Sequence, residues 1–269
     1  MRFTAWLTRT FPIWSPTDYS AMTDSFSQLK VLLLQARNTE DMVIQEQECF
    51  LERCRLRPDQ LDTLNLPLMA ELPDVSLLDA YDAFFIGGAG EYSVTKDYPW
   101  MPFALDLIRH AHASHLPTFG SCWGHQLIAR ALGGEVIHDP ERAELGCHNI
   151  NLTEAGKHDE LLAPFPDSFL ANMGHHDRVY VLPEGAIELA DNHFQANEAF
   201  RIKDRPMYGT QFHSELDKRR EAERLVKYRS FYINELHSEE VFQEVLNSLQ
   251  ETTEVDHLMY DFLKRFAVK

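Results

Sequence analysis

The chain has 269 residues, of which 44% are hydrophobic and 25% charged, and a formal net charge of −17. This length suits one large α/β domain, or one domain with an appendage. The excess of acidic residues argues against a nucleic-acid or anionic membrane partner, because either would need a large basic surface. No apolar run approaches the roughly 20 residues of a membrane helix.

The four cysteines are too few and too scattered for a disulfide framework, and they contain no Cys-x-x-Cys metal pair. Cys49 and Cys54 fall in one predicted helix, where packing roles are expected, and the other two are Cys122 and Cys147. A reactive thiol in this set would be best preserved in a reducing compartment, so a cytoplasmic location is predicted.

Residues 1–28 differ in composition from the rest of the chain. The first 16 residues contain Arg2 and Arg9 but no acidic residue. A secretory signal would need a longer apolar core and a small-residue cleavage site. An irregular N-terminal extension is therefore predicted for residues 1–28. The alternatives are a weak organelle-targeting segment and a translation start at Met22.

From Lys30 the pattern alternates between strands and helices. Strands are predicted at residues 30–35, 60–66, 82–86 and 116–120, with helices at residues 40–55 and 99–114. After Gly134 the chain becomes rich in strands, at residues 135–138, 147–152, 179–182, 186–190 and 199–203. One charged helix is predicted at residues 217–236, followed by two amphipathic segments. This order predicts an α/β fold: an open, mostly parallel, flavodoxin-like sheet with helices on both faces, an antiparallel extension and C-terminal helices.

A cysteine lies at a sharp turn between a predicted strand and a predicted helix. The strand at residues 116–120 runs directly into the sequence GSCWGHQ at residues 120–126. Glycines permit the bend that exposes a nucleophile at the end of a strand. The positive N-terminal end of the following helix favours the thiolate of Cys122. Taken alone, the turn does not separate a catalytic cysteine from a buried structural one.

A histidine and a glutamate two positions apart follow a second strand, in the sequence MYGTQFHSE at residues 207–215. On an extended chain, the side chains of His213 and Glu215 point the same way. A cysteine nucleophile needs a base and a carboxylate that orients the base. The alternative is a hydrogen-bonded surface histidine at an exposed strand end. It suits most of the 13 histidines, but it does not suit His213, which closes a strand downstream of the cysteine turn.

These segments together resemble the signatures of the class I, or triad, glutamine amidotransferase domain. The elbow pattern Gly-x-Cys-x-Gly-x-Gln is matched by Gly120, Cys122, Gly124 and Gln126. The closing pattern Gly-x-Gln-Phe-His-Pro-Glu is matched by Gly209, Gln211, Phe212, His213 and Glu215, with Ser214 in place of proline.

A third segment supports the resemblance. The predicted buried strand that ends in Gly87 and Gly88 lies where the family places the amides that bind an oxyanion, although Ala89 replaces the usual proline. The resemblance covers residues 29–235. Among relatives it is strongest to free-standing proteins similar to the amidotransferase part of GMP synthase, and plant γ-glutamyl peptidases belong to the same group.

The resemblance implies a catalytic domain at residues 29–236 and leaves a helical appendage at residues 237–269. It implies a catalytic triad of Cys122, His213 and Glu215 that cleaves the γ-amide of glutamine or a related γ-glutamyl bond through a thioester. It also implies oxyanion donors at Gly88 and Trp123, and substrate contacts from Gly87, Gln126, His175, His176 and Asp177. This chemistry requires no cofactor.

The segment at residues 172–177 is predicted to be a substrate-binding loop, because the family has a His/Ser-x-Asp loop at this place. Two histidines and an aspartate also suggest a metal site. No metal is predicted, because adjacent histidines on an extended chain face opposite ways and a third ligand at suitable spacing is missing.

Three functional interpretations remain open. The chain is a stand-alone γ-glutamyl hydrolase acting on peptides or conjugates, a binding module without turnover, or a glutaminase that serves a separate synthetase subunit. The intact Cys122, His213 and Glu215 argue against the binding module. The amphipathic segments after residue 236 are expected to pack on their own domain. The alternatives are a lid, or a surface for a partner or for a second copy of the chain.

Overall fold

The structure is a computed structural model that describes residues 24–236 and 238–268. Most of the predicted N-terminal extension, residues 1–23, therefore lies outside the described residues. The strands are β1 (Val31–Ala36), β2 (Leu61–Asn65), β3 (Ala83–Ala89), β4 (Thr118–Ser121), β5 (Glu135–His138), β6 (Glu144–Leu152), β7 (Ser168–His175), β8 (Asp177–Val181), β9 (Ala186–Asp191), β10 (Ala199–Ile202) and β11 (Met207–Thr210).

The helices alternate with the strands in the first half of the chain and dominate its end. They are α1 (Asp24–Ser27), α2 (Glu40–Cys54), α3 (Met101–Ser114), α4 (Trp123–Ala131), α5 (Glu154–Lys157), α6 (Lys218–Lys227), α7 (Arg229–Leu236), α8 (Glu239–Ser248) and α9 (Leu258–Phe262), with a π-helical turn at Leu263–Ala267. Helix α6 begins where the Asp217 side chain accepts a hydrogen bond from the Arg220 amide at 2.7 Å, which satisfies a first-turn donor.

Within the described residues, nine strands form one sheet in the order β2-β1-β3-β4-β11-β10-β9-β6-β7. Strands β2, β1, β3, β4 and β11 are parallel, and β10, β9, β6 and β7 continue the sheet in antiparallel pairs. Strands β5 and β8 form a separate antiparallel pair. This confirms the α/β fold with its parallel sheet and antiparallel extension. Every helix in the described part is too short or too polar to cross a membrane.

Apolar side chains cover both faces of the sheet. Strand β1 is buried along its whole length, as expected for a parallel strand with helices on both sides. Leu32 and Leu34 pack with helices α3 and α4, while Val31 and Leu33 face the other core. That second core includes Phe262, whose ring lies 5.4 Å from the ring of Phe119 and 5.8 Å from that of Phe85.

The residues after 236 thus supply part of the core under the sheet. Phe242, Leu249, Leu258 and Phe262 are buried. Val245 and Phe266 are half-buried against the same clusters. The boundary between a catalytic domain at 29–236 and an appendage at 237–269 stays a prediction about domain organisation.

Three local predictions were wrong. Residues 172–177 are not a loop, because β7 pairs with β6 from Ser168 to His175 and β8 begins at Asp177. The single helix at 217–236 is divided at Tyr228, whose ring contacts Gly90, while the Tyr232 hydroxyl reaches Gly174. Finally, β11 ends at Thr210, so that the His-x-Glu pair lies in an irregular segment beyond the strand rather than on it.

Candidate active site

Cys122 occupies the turn between β4 and α4 in a strained backbone conformation, with φ 49° and ψ −98°. Two glycines make the turn possible. A Cβ on Gly120 would lie 2.4 Å from the carbonyl carbon of Gly124, and a Cβ on Gly124 would lie 2.4 Å from the Ile86 carbonyl oxygen. The Cys122 amide donates to the Thr210 carbonyl oxygen at 2.8 Å, which ties the turn to β11. The predicted elbow is therefore present.

His213 and Glu215 form a buried pair, with 2.8 Å between His213 Nδ1 and Glu215 Oε1. The His213 amide donates to the Asn172 carbonyl oxygen at 3.1 Å, so β7 fixes the position of the histidine. Burial alone would lower the pKa of His213. Glu215, Glu221 and Cys122 outweigh burial, and the pKa of His213 lies well above its usual value. The imidazole is therefore held in its charged form.

The Glu215 carboxylate is fully buried and has three partners. His213 Nδ1 and Arg224 Nη1 contact Oε1, the latter at 3.0 Å, and Ser121 Oγ donates to Oε2 at 2.7 Å. Burial opposes ionisation, but His213, Arg224 and Ser121 together hold the pKa of Glu215 far below its usual value. Glu215 is therefore an anion that can orient the imidazole without accepting its proton.

Gln126 and Gln211 connect Cys122 to β8. Gln211 Nε2 lies 3.6 Å from the Cys122 sulfur, and Gln126 Nε2 donates to Gln211 Oε1 at 3.1 Å. Gln126 Nε2 also donates to the Asp177 carbonyl oxygen at 2.6 Å. Sequence reasoning placed Gln126 at the pocket but missed Gln211 as the sulfur contact, although Gln211 stands within the closing motif itself.

The predicted oxyanion glycine lies beside the histidine. A Cβ on Gly88 would be 3.4 Å from His213 Cε1, and one on Gly87 would be 2.5 Å from Glu46 Oε1. Trp123 directly follows Cys122 as the first residue of α4, where backbone amides lack helical partners.

His175 is the last residue of β7 and His176 lies between β7 and β8, and their side chains join two different clusters. His175 Nε2 lies 3.5 Å from Glu144 Oε2, and these two groups with Glu198 form a buried cluster. Burial and the neighbouring Glu144 raise the pKa of Glu198 well above its usual value. Sequence reasoning missed this cluster, because its carboxylates come from β6 and from the residue before β10.

The side chains of His176 and Asp177 belong to a second cluster, together with His138. Asp177 Oδ1 lies 2.7 Å from His138 Nδ1, and Oδ2 accepts a hydrogen bond from Ser93. The imidazoles of His138 and His176 are 5.3 Å apart. Asp177, a predicted substrate contact, therefore touches Gln126 through its backbone carbonyl oxygen, while its carboxylate contacts His138 and Ser93.

Residues of α6, α7 and the segment after α8 cover the site. Tyr232 Oη donates to the Gly174 carbonyl oxygen at 3.3 Å, and Asn172 Nδ2 donates to the Gln250 carbonyl oxygen at 2.8 Å. Cys122 and His213 are each only 5% exposed. Both side chains are therefore largely buried.

The model of the family described as glutamine amidotransferase class-I matches residues 59–232, which include the elbow, β7 and the His213–Glu215 pair. The chain belongs to the class I glutamine amidotransferase family. It is 34% identical over 158 residues to the A subunit of the glutamine-hydrolyzing GMP synthase from Sulfolobus acidocaldarius, covering 58% of this chain and 80% of that protein.

Two further relatives in this family have other names. Identity is 32% over 176 residues with the glutamine amidotransferase-like protein chyE from Penicillium rubens, covering 63% of this chain and 72% of that protein. Identity is 33% over 138 residues with γ-glutamyl peptidase 4 from Arabidopsis thaliana, covering 50% of this chain and 54% of that protein.

Solved amidotransferase structures share the fold. A glutamine amidotransferase from Thermotoga maritima superposes with a TM-score of 0.70 at 20% identity, covering 90% of this chain and 99% of that one. A glutamine amidotransferase from Methylobacillus flagellatus gives a TM-score of 0.66 at 22% identity, covering 89% and 96%. At these identities the likeness concerns the fold alone.

Proposed function

We propose that the protein hydrolyses the γ-amide of glutamine, or a related γ-glutamyl bond, with Cys122 as nucleophile. The observation that carries this proposal is the 2.8 Å contact between His213 and an ionised Glu215, formed beside a cysteine held in a nucleophile elbow. An activated nucleophile, a base and a group that orients the base are the parts that acyl transfer needs.

The reaction proceeds in two halves. The Cys122 thiolate attacks the side-chain carbonyl carbon, and His213 gives its proton to the departing nitrogen as the C–N bond breaks. A γ-glutamyl thioester remains on Cys122. His213, now neutral, takes a proton from water, and the hydroxide displaces the thiolate to release glutamate. Glu215 holds the imidazole in place through both halves.

The backbone amides of Gly88 and Trp123 are the proposed oxyanion donors. Both residues adjoin the triad, and each such donor is typically worth about 3 kcal/mol of transition-state stabilisation. The proposed substrate pocket is bordered by Gly87, by Gln126 and by the segment of His175, His176 and Asp177. The reaction as proposed uses no cofactor or metal.

A second candidate is hydrolysis of γ-glutamyl peptides or conjugates without any partner. The similarity to γ-glutamyl peptidase 4 supports it. The similarity to the A subunit of GMP synthase supports the first candidate, a glutaminase with a separate synthetase partner.

The test is a panel of substrates assayed for glutamate release by the wild type and by Cys122→Ala. Cleavage of free glutamine alone supports a glutaminase, and cleavage of γ-glutamyl dipeptides supports the peptidase. A glutamine-analogue alkylator should modify Cys122 and spare Cys49 and Cys54, since burial raises the pKa of Cys49 to about 12 and that of Cys54 well above its usual value. No Cys122-dependent cleavage, with equal labelling of the cysteines, would refute the proposal.

A further inference from the structure

A buried arginine outside every recognised motif contacts the orienting carboxylate of the triad. Arg224, on α6, places Nη1 3.0 Å from Glu215 Oε1, the same oxygen that lies 2.8 Å from His213 Nδ1. Arg224 is 5% exposed and Glu215 is fully buried. A guanidinium and an imidazole therefore compete for one oxygen in a site with little water to screen them.

Arg224 is itself held from two further directions. Its Nε donates to Gln45 Oε1 at 3.0 Å, and its Nη2 lies 3.7 Å from Glu46 Oε1. The planar fork of an arginine can satisfy several acceptors at once, which a lysine ammonium cannot do in the same geometry. Helix α2, which carries Gln45 and Glu46, thereby fixes where the guanidinium meets the triad.

The same contacts continue into a chain of buried charges with alternating sign. Arg37 Nη2 lies 2.6 Å from Glu46 Oε1, so the order is Arg37, Glu46, Arg224, Glu215 and His213. Glu221, which is also buried, is a further anion that acts on His213. With His213 charged, the three positive groups therefore match the three carboxylates. Buried charges are tolerated only when paired in this way.

We propose that Arg224 is a positioning residue of the triad, which fixes the Glu215 carboxylate and limits how strongly that carboxylate retains a proton on His213. This proposal rests on the proposed hydrolytic function. The second half-reaction needs His213 to lose its proton and act as a base. With Arg224 present, part of the charge of Glu215 is already neutralised, and the imidazole can give up the proton.

A purely structural role, in which Arg224 only attaches α6 to the sheet, is the competing explanation. The chain offers a matched control one turn earlier on the same helix. Arg220 is 8% exposed and pairs with Glu52 Oε2 at 2.6 Å and with Asp217 Oδ2 at 3.3 Å. The pair with Glu52 attaches α6 to α2, as the contacts of Arg224 do, but neither pair involves Glu215.

The test compares Arg224→Gln, Arg224→Lys and Arg220→Gln. For each protein, kcat and KM for the best substrate of the panel are measured against pH, and the thioester on Cys122 is followed by mass spectrometry. Arg224→Gln should lower kcat about 10- to 100-fold, as expected for a group that positions a catalytic base, with little change in KM. The thioester should also accumulate in this variant, because its hydrolysis, in which His213 acts as the base, is slowed the most.

Arg224→Gln should also move the alkaline limb of the pH–rate profile upward by roughly one pH unit, because removal of a positive charge stabilises the His213 imidazolium. Arg224→Lys retains the charge and should leave the limb near its wild-type position with an intermediate kcat. Arg220→Gln should lower the melting temperature without moving the limb. An unshifted limb in Arg224→Gln, or an equal shift in Arg220→Gln, overturns the proposal.

Alkylation of Cys122 by chloroacetamide separates this proposal from the proposed function. The reaction needs no substrate, and its pH profile reports the His213–Cys122 pair directly. A shifted alkylation profile in Arg224→Gln, in a protein that cleaves no γ-glutamyl bond, contradicts hydrolysis and supports the positioning role. A wild-type alkylation profile in Arg224→Gln overturns the positioning role whatever the substrate. Should Arg224→Gln fail to fold, an Arg224→Lys variant with wild-type kcat and wild-type profiles in every assay overturns it as well.

Discussion

The ring of Tyr228 lies directly against the α-carbon of Gly90, so closely that a Cβ on Gly90 would be 2.0 Å from Tyr228 Cζ. Gly90 belongs to the loop after β3, which carries the proposed oxyanion glycine, and Tyr228 stands at the break between α6 and α7. The contact therefore joins the loop after β3 to the junction between α6 and α7.

Gly90→Ala should displace the α6–α7 junction, because the added methyl group overlaps a buried ring. We expect a loss of about 1–3 kcal/mol in unfolding free energy, as for other overpacked sites, and faster alkylation of Cys122. Chemical denaturation and alkylation rates measure the two effects. Tyr228→Ala removes the overlapping ring, so adding Gly90→Ala to it should cost far less. Additive losses in the double variant would contradict the contact.

His213→Ala should reduce kcat/KM nearly as far as Cys122→Ala, on the order of 10⁵- to 10⁶-fold, because members of a catalytic unit are not additive. Glu215→Gln should cost less, on the order of 10³- to 10⁴-fold, since the carboxylate orients and does not transfer the proton. Glu221→Gln is the control: Glu221 also raises the pKa of His213 but does not hydrogen-bond to it. Equal losses in His213→Ala and Glu215→Gln, with both folded, would refute these roles.

Glu198→Gln should stabilise the protein increasingly as pH rises. The pKa of Glu198 is raised in the folded state, first by burial and then by Glu144. Its contribution to stability is complete below the pKa of the unfolded chain, about 4.3, and is lost as pH rises through the folded value. Glutamine at this position does not ionise, so its contribution to stability does not fall as pH rises. Melting temperatures across the pH range give the comparison.

Glu144→Gln should show the opposite dependence of stability on pH. Burial opposes ionisation of Glu144, but His175 lowers its pKa. Its contribution is present above the unfolded pKa and is lost as pH falls. Glu144→Gln should therefore be least stable, relative to wild type, at neutral pH, with the difference narrowing in acid. If the stability of both variants relative to wild type changed with pH in the same direction, the opposite pKa shifts of Glu198 and Glu144 would be contradicted.

Phe262→Ala should destabilise the protein by about 3–5 kcal/mol, because it empties a fully buried site against Phe85 and Phe119. Val241→Ala, at a side chain that is 38% exposed, should change stability by less than about 0.5 kcal/mol.

Deletion of residues 237–269 should lower the melting temperature and promote aggregation. A truncated chain that stays as stable and monomeric as the full chain, while the full chain self-associates, would instead identify the tail as an interaction element.

The amino-acid sequence by itself determined the positions of the strands in the first half, the elbow and the two other strand-end motifs. The reason is local. Gly120 and Gly124 permit backbone approaches that a Cβ would block, and the buried strands of a parallel sheet read as continuous apolar runs. Because carboxyl ends of parallel strands meet at one edge, Gly88, Cys122 and His213, which lie at or just beyond such ends, come together there.

The tertiary structure alone decided which side chains support that site. Arg224 looks in the sequence like any charge on a solvated helix, and only the packing of α6 against α2 buries it beside Glu215. Glu144 and Glu198 lie far apart in sequence, and only the strand order of the antiparallel extension brings them to His175. Pairing between β6 and β7 likewise made strands of residues predicted as a loop, because long-range backbone hydrogen bonds override local pattern.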